Sequence, residues 1–167
     1  MRMTRTLLAA LALTVATLAS AADLGGRVVT VGSDTTYPPF EFVAEDGTIT
    51  GFDVELVQAI CERVNCVAEF QTTAWDGIFA ALAAGEFDMV ASGVSITPER
   101  AQIVEFSEPY HVVTQAIAVR VEDAGVTFEE LVAAGATVGA QTGTTNAYFA
   151  EDAFGRDALN LYDTFAQ

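Results

Sequence analysis

Apolar positions along this chain fall into short runs split by turn residues, and the runs alternate between two periods. Arg27–Val31 is a compact β-branched run ending at Gly32-Ser33-Asp34, which predicts a buried strand. The double proline in Tyr37-Pro38-Pro39-Phe40 forbids a helix and demands extended chain. Glu45-Asp46-Gly47 is a turn signal. From Asp53 to about Arg63 the period becomes helical: Val54, Leu56, Val57 and Ile60 can share one face, with Asp53 as the N-cap. Ala68–Gln71 predicts a second strand. Trp75–Ala84 predicts a helix stopped by Gly85, and Phe87–Ala91 a third strand.

The alternation continues downstream. Thr97 followed by Pro98 is a cap followed by a first-turn proline. The β-branched stretch Val112–Arg120 predicts a longer strand crossing the molecule. Thr127-Phe128-Glu129-Glu130 has the spacing of a capping box. Val138–Ala140 predicts a strand, Gly143-Thr144-Thr145 opens a helix to about Ala153, and Asn160–Tyr162 predicts another strand. Asp163 then reads as the cap of a further helix, with only one turn before Gln167, so residues are expected to be missing beyond it. Strands alternating with helices predict an α/β fold with mostly parallel sheets. No Gly/Ser or Pro-rich linker, low-complexity segment or internal repeat interrupts the pattern.

The first 22 residues stand apart. Two arginines precede the apolar run Leu7–Leu18, and Ala19-Ser20-Ala21-Ala22 supplies small residues for cleavage. This is the pattern of a secretory signal peptide, with an uncleaved anchor as the alternative. The run is shorter than the roughly 20 apolar residues a spanning helix needs. No cysteine follows the cleavage site, so no lipid anchor is expected. Export would place Cys61 and Cys66 in an oxidising compartment. There, two cysteines so close favour a disulfide from a helix end to the next strand, with free thiols as the alternative. A zinc site would need two more ligands, and His111 is the only histidine.

The chain of 167 residues carries no lysine and a net charge of −16. Without residues 1–22, five arginines face all 23 acids, a net −18. That balance excludes partners that need a basic surface, such as nucleic acids and anionic membranes. At 51% hydrophobic the chain is no disordered acidic tail.

Candidate chemistry lies where predicted strands end. In open α/β sheets, ligands bind beyond the C-terminal strand edge. There Asp34 offers an acceptor and Tyr37 an aromatic face; a turn carboxylate and a packed tyrosine are the alternative. Trp75, the only tryptophan, is a second candidate, although a lone tryptophan is more often core. Ser92, Gly93 and Ser95 place small groups after the third strand. Arg100 follows with the planar fork that grips a carboxylate. Gln141-Thr142-Gly143-Thr144-Thr145 is a strand, a turn and a helix N-terminus, where free N–H groups favour an anion. No Walker loop, Gly-x-Ser-x-Gly elbow or His-Glu-x-x-His is present, and His111 reads as structural or surface. No metal or cofactor is expected.

Taken jointly, seven segments resemble the bacterial extracellular solute-binding proteins of the polar amino-acid ABC transporters. They are Ser33–Glu41, Gly51–Leu56, Ala74–Ile78, Phe87–Val90, Ser92–Arg100, Phe106–Tyr110 and Gly139–Thr145. The resemblance implies a periplasmic binding protein-like fold of two lobes, with an amino acid in the cleft between them. It implies residues 23–117 as the first lobe, lacking its C-terminal return segment, and residues 118–167 as the hinge and part of the second.

The resemblance also suggests site roles. Tyr37 is similar to the aromatic that stacks on the ligand, and Trp75 to the opposite wall. Gly93 and Ser95 match contacts to the α-ammonium and carboxylate, and Arg100 matches the carboxylate clamp. Thr144 and Thr145 resemble second-lobe donors, and Asp34 resembles a contact to a polar or basic side chain. The expected partner is a membrane permease, the expected state a periplasmic monomer, and the expected function amino-acid capture by hinge closure. The chain as written is expected to bind weakly or not at all. A cyclohexadienyl dehydratase-like enzyme and the sensor domain of a receptor kinase are the rival readings.

Overall fold

A computed structural model describes residues 22–167. The predicted signal peptide, residues 1–22, lies outside the described residues except for Ala22.

The central strand is β1 (Arg27–Ser33). Its burial rises along its length, from exposed Arg27 to Val31 and Ser33, both fully buried. A small antiparallel sheet follows: β2 (Thr36–Tyr37), β3 (Glu41–Val43) and β4 (Ile49–Thr50). The Pro38–Pro39 bond between β2 and β3 is cis. The predicted turn at Asp46-Gly47 joins β3 to β4, and Thr48 N–H donates to the Asp46 carboxylate at 2.9 Å.

Next come α1 (Phe52–Val64), β5 (Cys66–Thr72), α2 (Ile78–Ala84) and β6 (Met89–Val90). The first sheet has the order β5-β1-β6, all parallel. Arg27 through Ser33 pair with Cys66 through Thr72, and Val31 pairs with Met89. Two apolar clusters support it. Val31, Val57 and Ala91 form one, and Trp75, Ile78 and Phe87 the other.

The second unit holds α3 (Phe128–Ala133), β7 (Val138–Gln141), α4 (Thr145–Phe154) and β8 (Leu159–Tyr162). Strands β7 and β8 are parallel, from Val138 opposite Leu159 to Gln141 opposite Tyr162. The capping box at Thr127 is complete: Thr127 Oγ1 accepts from Glu130 N, and Thr127 N donates to Glu130 Oε2. Cys61 and Cys66 form a disulfide from the last turns of α1 to the start of β5.

Several expectations are corrected. Asp53 does not cap α1. The first helical N–H groups, of Phe52 and Asp53, donate to the carbonyls of Pro39 and Phe40, so no side-chain cap is required. Ile60 points outward, because the buried face of α1 is Asp53, Val54, Val57 and Cys61. Trp75 lies ahead of α2, since Gly77 takes a left-handed φ of 88° that breaks the helix there. Val112–Arg120 has no strand ladder among the described residues, and Val112 is 87% exposed. A β-branched run favours extended chain locally, but a strand also needs a neighbour to hydrogen-bond. After β8 the predicted helix is a turn, in which Gln167 Oε1 accepts from the N–H groups of Asp163 and Thr164.

Candidate functional site

The C-terminal ends of β1 and β6 and the start of α4 converge on one cavity. Seven of the ten predicted ligand contacts line it: Asp34, Tyr37, Trp75, Gly93, Ser95, Arg100 and Thr145. The fold explains the convergence. In parallel β1 and β6 the chain leaves the sheet on the same edge, so Asp34 and Ser92-Gly93 emerge side by side. Asp34 N–H donates to Ser92 Oγ at 2.9 Å.

Asp34 is 5% exposed, and its carboxylate accepts only from neutral groups. Thr36 Oγ1 donates to Oδ1 at 2.8 Å, and Gln141 Nε2, which also lines the cavity, donates to Oδ2 at 2.6 Å. Tyr37 lies on β2 with its ring against Gly93. Gly93 has a φ of 52°, and a Cβ there would meet the Tyr37 ring at 3.0 Å, so only glycine fits this approach. The ring stacks on Phe40 at 5.4 Å, and Phe165 sets its edge against it at 4.7 Å. Burial, followed by the nearby Glu41 carboxyl, raises the Tyr37 phenol above its ordinary pKa, so it stays neutral.

Arg100 forms the other wall. Thr97 Oγ1 accepts from Arg100 N at 3.2 Å, so the predicted Thr97-Pro98 start is real, although it leads only into the short 3-10 turn Arg100–Gln102. The guanidinium lies 5.2 Å from the Trp75 ring centre and 5.1 Å from that of Phe79. Nη1 donates to Ser95 O at 2.9 Å and Nη2 to Gly143 O at 3.2 Å. The ion pairs among the described residues engage Arg27, Arg120 and Arg156, not Arg100. Burial lowers the Arg100 pKa, yet guanidinium keeps its proton in proteins. A cation 8% exposed and held by two carbonyls retains N–H groups for an anion.

Three further predicted contacts, Ser92, Thr142 and Thr144, lie outside this cavity and have partners within the protein. Ser92 Oγ is spent inside the protein: it donates to Glu41 Oε1 at 2.8 Å and accepts from Asp34 N. Thr142 Oγ1 donates to Tyr162 O on β8. Thr144 Oγ1 donates to Gln141 O at 2.7 Å and caps α4 by accepting from Ala147 N. A hydroxyl has one proton to donate, and in each case a local acceptor holds it. None of the three lines the cavity.

Residues not predicted also line it, among them Phe40, Gln115, Gln141 and Phe165. Gln141 had a usable signal, because it ends β7 at the same strand-end edge as the turn that follows. Phe165 and Gln115 had none, since their approach depends on tertiary packing. His111, read as structural or surface, is exposed and packs on Phe40 and Phe52. Among the described residues, no group of three or more His, Cys, Asp or Glu side chains is placed to hold a metal ion. Among the same described residues, no helix is long and apolar enough to cross a membrane.

Residues 29–163 match the bacterial extracellular solute-binding proteins, family 3. The chain belongs to this family. Among family relatives, it is 32% identical over 137 residues to the ABC transporter arginine-binding protein 1 of Escherichia coli K12, covering 82% of this chain and 55% of that protein. It is 42% identical over 94 residues to a probable histidine-binding protein of Neisseria gonorrhoeae, covering 56% of this chain and 35% of that protein.

Solved structures agree on the solute-binding fold. An ancestral amino acid-binding protein, described as a precursor of cyclohexadienyl dehydratase, superposes with a TM-score of 0.79 at 38% identity, over 83% of this chain and 62% of that one. An ancestral arginine-binding protein bound to arginine gives 0.76 at 36% identity, with the same coverage. The α/β fold with parallel sheets is thus that of periplasmic amino-acid-binding proteins. The chain spans about half the length of the first curated relative.

Proposed function

We propose that this protein captures a free amino acid with a polar or basic side chain and delivers it to an ABC transporter permease. The observation that carries the reading is Arg100, a buried, permanently charged side chain paired with carbonyls rather than a carboxylate. A ligand α-carboxylate supplies the missing anion through two parallel N–H···O bonds. Trp75 and Tyr37 wall the ligand. Gly93 and Ser95 meet its ammonium and carboxylate, and Thr145 adds a donor from α4. Asp34, whose charge is met only by neutral donors, takes the side-chain end. The name of the E. coli relative supports a basic ligand such as arginine.

In this reading residues 23–117 are the first lobe and residues 118–167 the hinge and second-lobe segment. The ligand touches both lobes at once, and that differential contact favours closure. Residues 1–22 direct export to the periplasm, where the protein works as a monomer without a cofactor or catalysis.

Calorimetry of the full-length protein, with any residues that follow Gln167, against the 20 amino acids tests the proposal. Saturable binding of arginine, lysine, histidine or glutamine is expected, and absence of binding by every amino acid overturns it.

A further inference from the structure

Two carboxyl groups lie in the interior beside the cavity, and no role at the site has yet been given to them. Glu41, on β3, is 0% exposed, and Asp53, in the first turn of α1, is 1% exposed. Glu41 Oε1 accepts from Ser92 Oγ at 2.8 Å. Asp53 Oδ2 accepts from Gly93 N at 2.7 Å and from the Tyr110 hydroxyl at 2.9 Å. The other oxygens, Glu41 Oε2 and Asp53 Oδ1, are buried without a partner. Both carboxyls hold the same short turn, Glu41 through Ser92 and Asp53 through the adjoining Gly93. No ion pair among the described residues involves either.

Two carboxylates buried on adjoining residues of one turn repel, and neither can donate to the other. One proton removes both problems: it cancels a charge and turns the orphaned oxygens into donor and acceptor. Asp53 is the member better suited to stay ionised. It accepts two hydrogen bonds and sits at the positive end of α1. Glu41 accepts one, from a hydroxyl.

We propose that Glu41 is a neutral carboxylic acid donating to the Asp53 carboxylate, and that this pair positions the Ser92-Gly93 turn of the binding site. Glu41 holds Ser92 Oγ, which in turn receives Asp34 N–H. Asp53 holds Gly93 N–H. The pair therefore sets both strand ends on which the cavity is built. Burial pushes the Glu41 carboxyl up to about 9, with the Asp53 and Asp34 charges adding to the rise. The other titratable groups facing the pair are Tyr37 and Tyr110, both raised by burial and therefore neutral. Ionising Glu41 places a second negative charge beside Asp53 and removes the donor, releasing the turn.

Infrared spectroscopy of the whole protein without ligand tests the proton directly. A protonated-carboxyl C=O band is expected at neutral pH, shifting in D2O and disappearing as pH passes about 9. It is absent from Glu41→Gln. Stability gives a second readout. Because the folded state holds the extra proton, stability is fully present below about 4.5, Glu41's ordinary value, and declines as pH rises towards about 9. Glu41→Gln, whose amide keeps both hydrogen bonds, flattens that slope.

The effect on ligand rests on the proposed function. Glu41→Gln keeps amino-acid affinity within about twofold of wild type, whereas Glu41→Leu loses about tenfold. A wild-type protein without the band at neutral pH, or with a slope unchanged in Glu41→Gln, overturns the shared proton. Equal affinity loss in the Gln and Leu variants overturns the positioning role. If the variants fail to fold, the wild-type band and its titration decide the proton. Failure to bind any amino acid would leave the band intact and count only against the proposed function.

Discussion

Arg100 and Asp34 line the same cavity, and each is a buried charge without an opposite charge among the described residues, but they are held in different ways. Arg100 lies over two aromatic rings and gives two N–H bonds to backbone carbonyls, one from Ser95 and one from Gly143. Asp34 takes its bonds from a hydroxyl and an amide, Thr36 and Gln141. The cation's partners are largely rigid backbone, while the anion's partners are side chains that can rotate away. In the proposed function this difference assigns rank: the Arg100 corner would fix what every ligand must carry, and the Asp34 corner would distinguish among them. Glu41 shows a third solution to a buried charge, since a carboxyl can be neutralised by a proton and a guanidinium cannot.

Variants can break this comparison in graded steps. Arg100→Ala should have the largest effect, costing at least ~2 kcal/mol of ligand affinity whatever the side chain bound. Calorimetry showing unchanged binding would remove the clamp. The Cys61→Ser, Cys66→Ser double variant is the control far from both corners. Opening so short a loop should cost about 2 kcal/mol of stability in urea unfolding, with little change in ligand preference. Asp34→Asn should cost about 1.5 kcal/mol against a basic ligand and much less against a neutral one. Equal losses for arginine and glutamine would show that Asp34 is only a structural strut. Thr127→Ala removes the capping box in the second unit. It should lower stability by about 1 kcal/mol in thermal melts, with both corners untouched.

Much of the framework was legible because it depends on neighbours in sequence. The capping box at Thr127 and the helix start at Gly143-Thr144-Thr145 both appear in the structure. Arg100 was legible through its place after the Ser/Gly strand end. The internal partners of the hydroxyls were not. Ser92, Thr142 and Thr144 sit in the right segments, but each proton goes to an acceptor inside the fold. Asp53 was misread for the same reason. It has the cap residue type at a helix start, but Pro39 and Phe40 carbonyls already serve that end, which frees its carboxylate for Gly93 and Tyr110. Val112–Arg120 failed differently, because composition cannot supply a strand partner.

The amino-acid sequence by itself determined the alternation of strands and helices, the caps, the nearness of the two cysteines and the residue types at the strand ends. These follow from interactions over a few residues, where period and side-chain chemistry suffice. Only the tertiary structure decided which polar groups face the cavity and which are consumed within the protein. Gln141 reaches Asp34 across 107 positions, and Ser92 reaches Glu41 across 51. A polar group's role depends on the partner that meets it in the fold, and over such distances the packing of whole elements selects that partner.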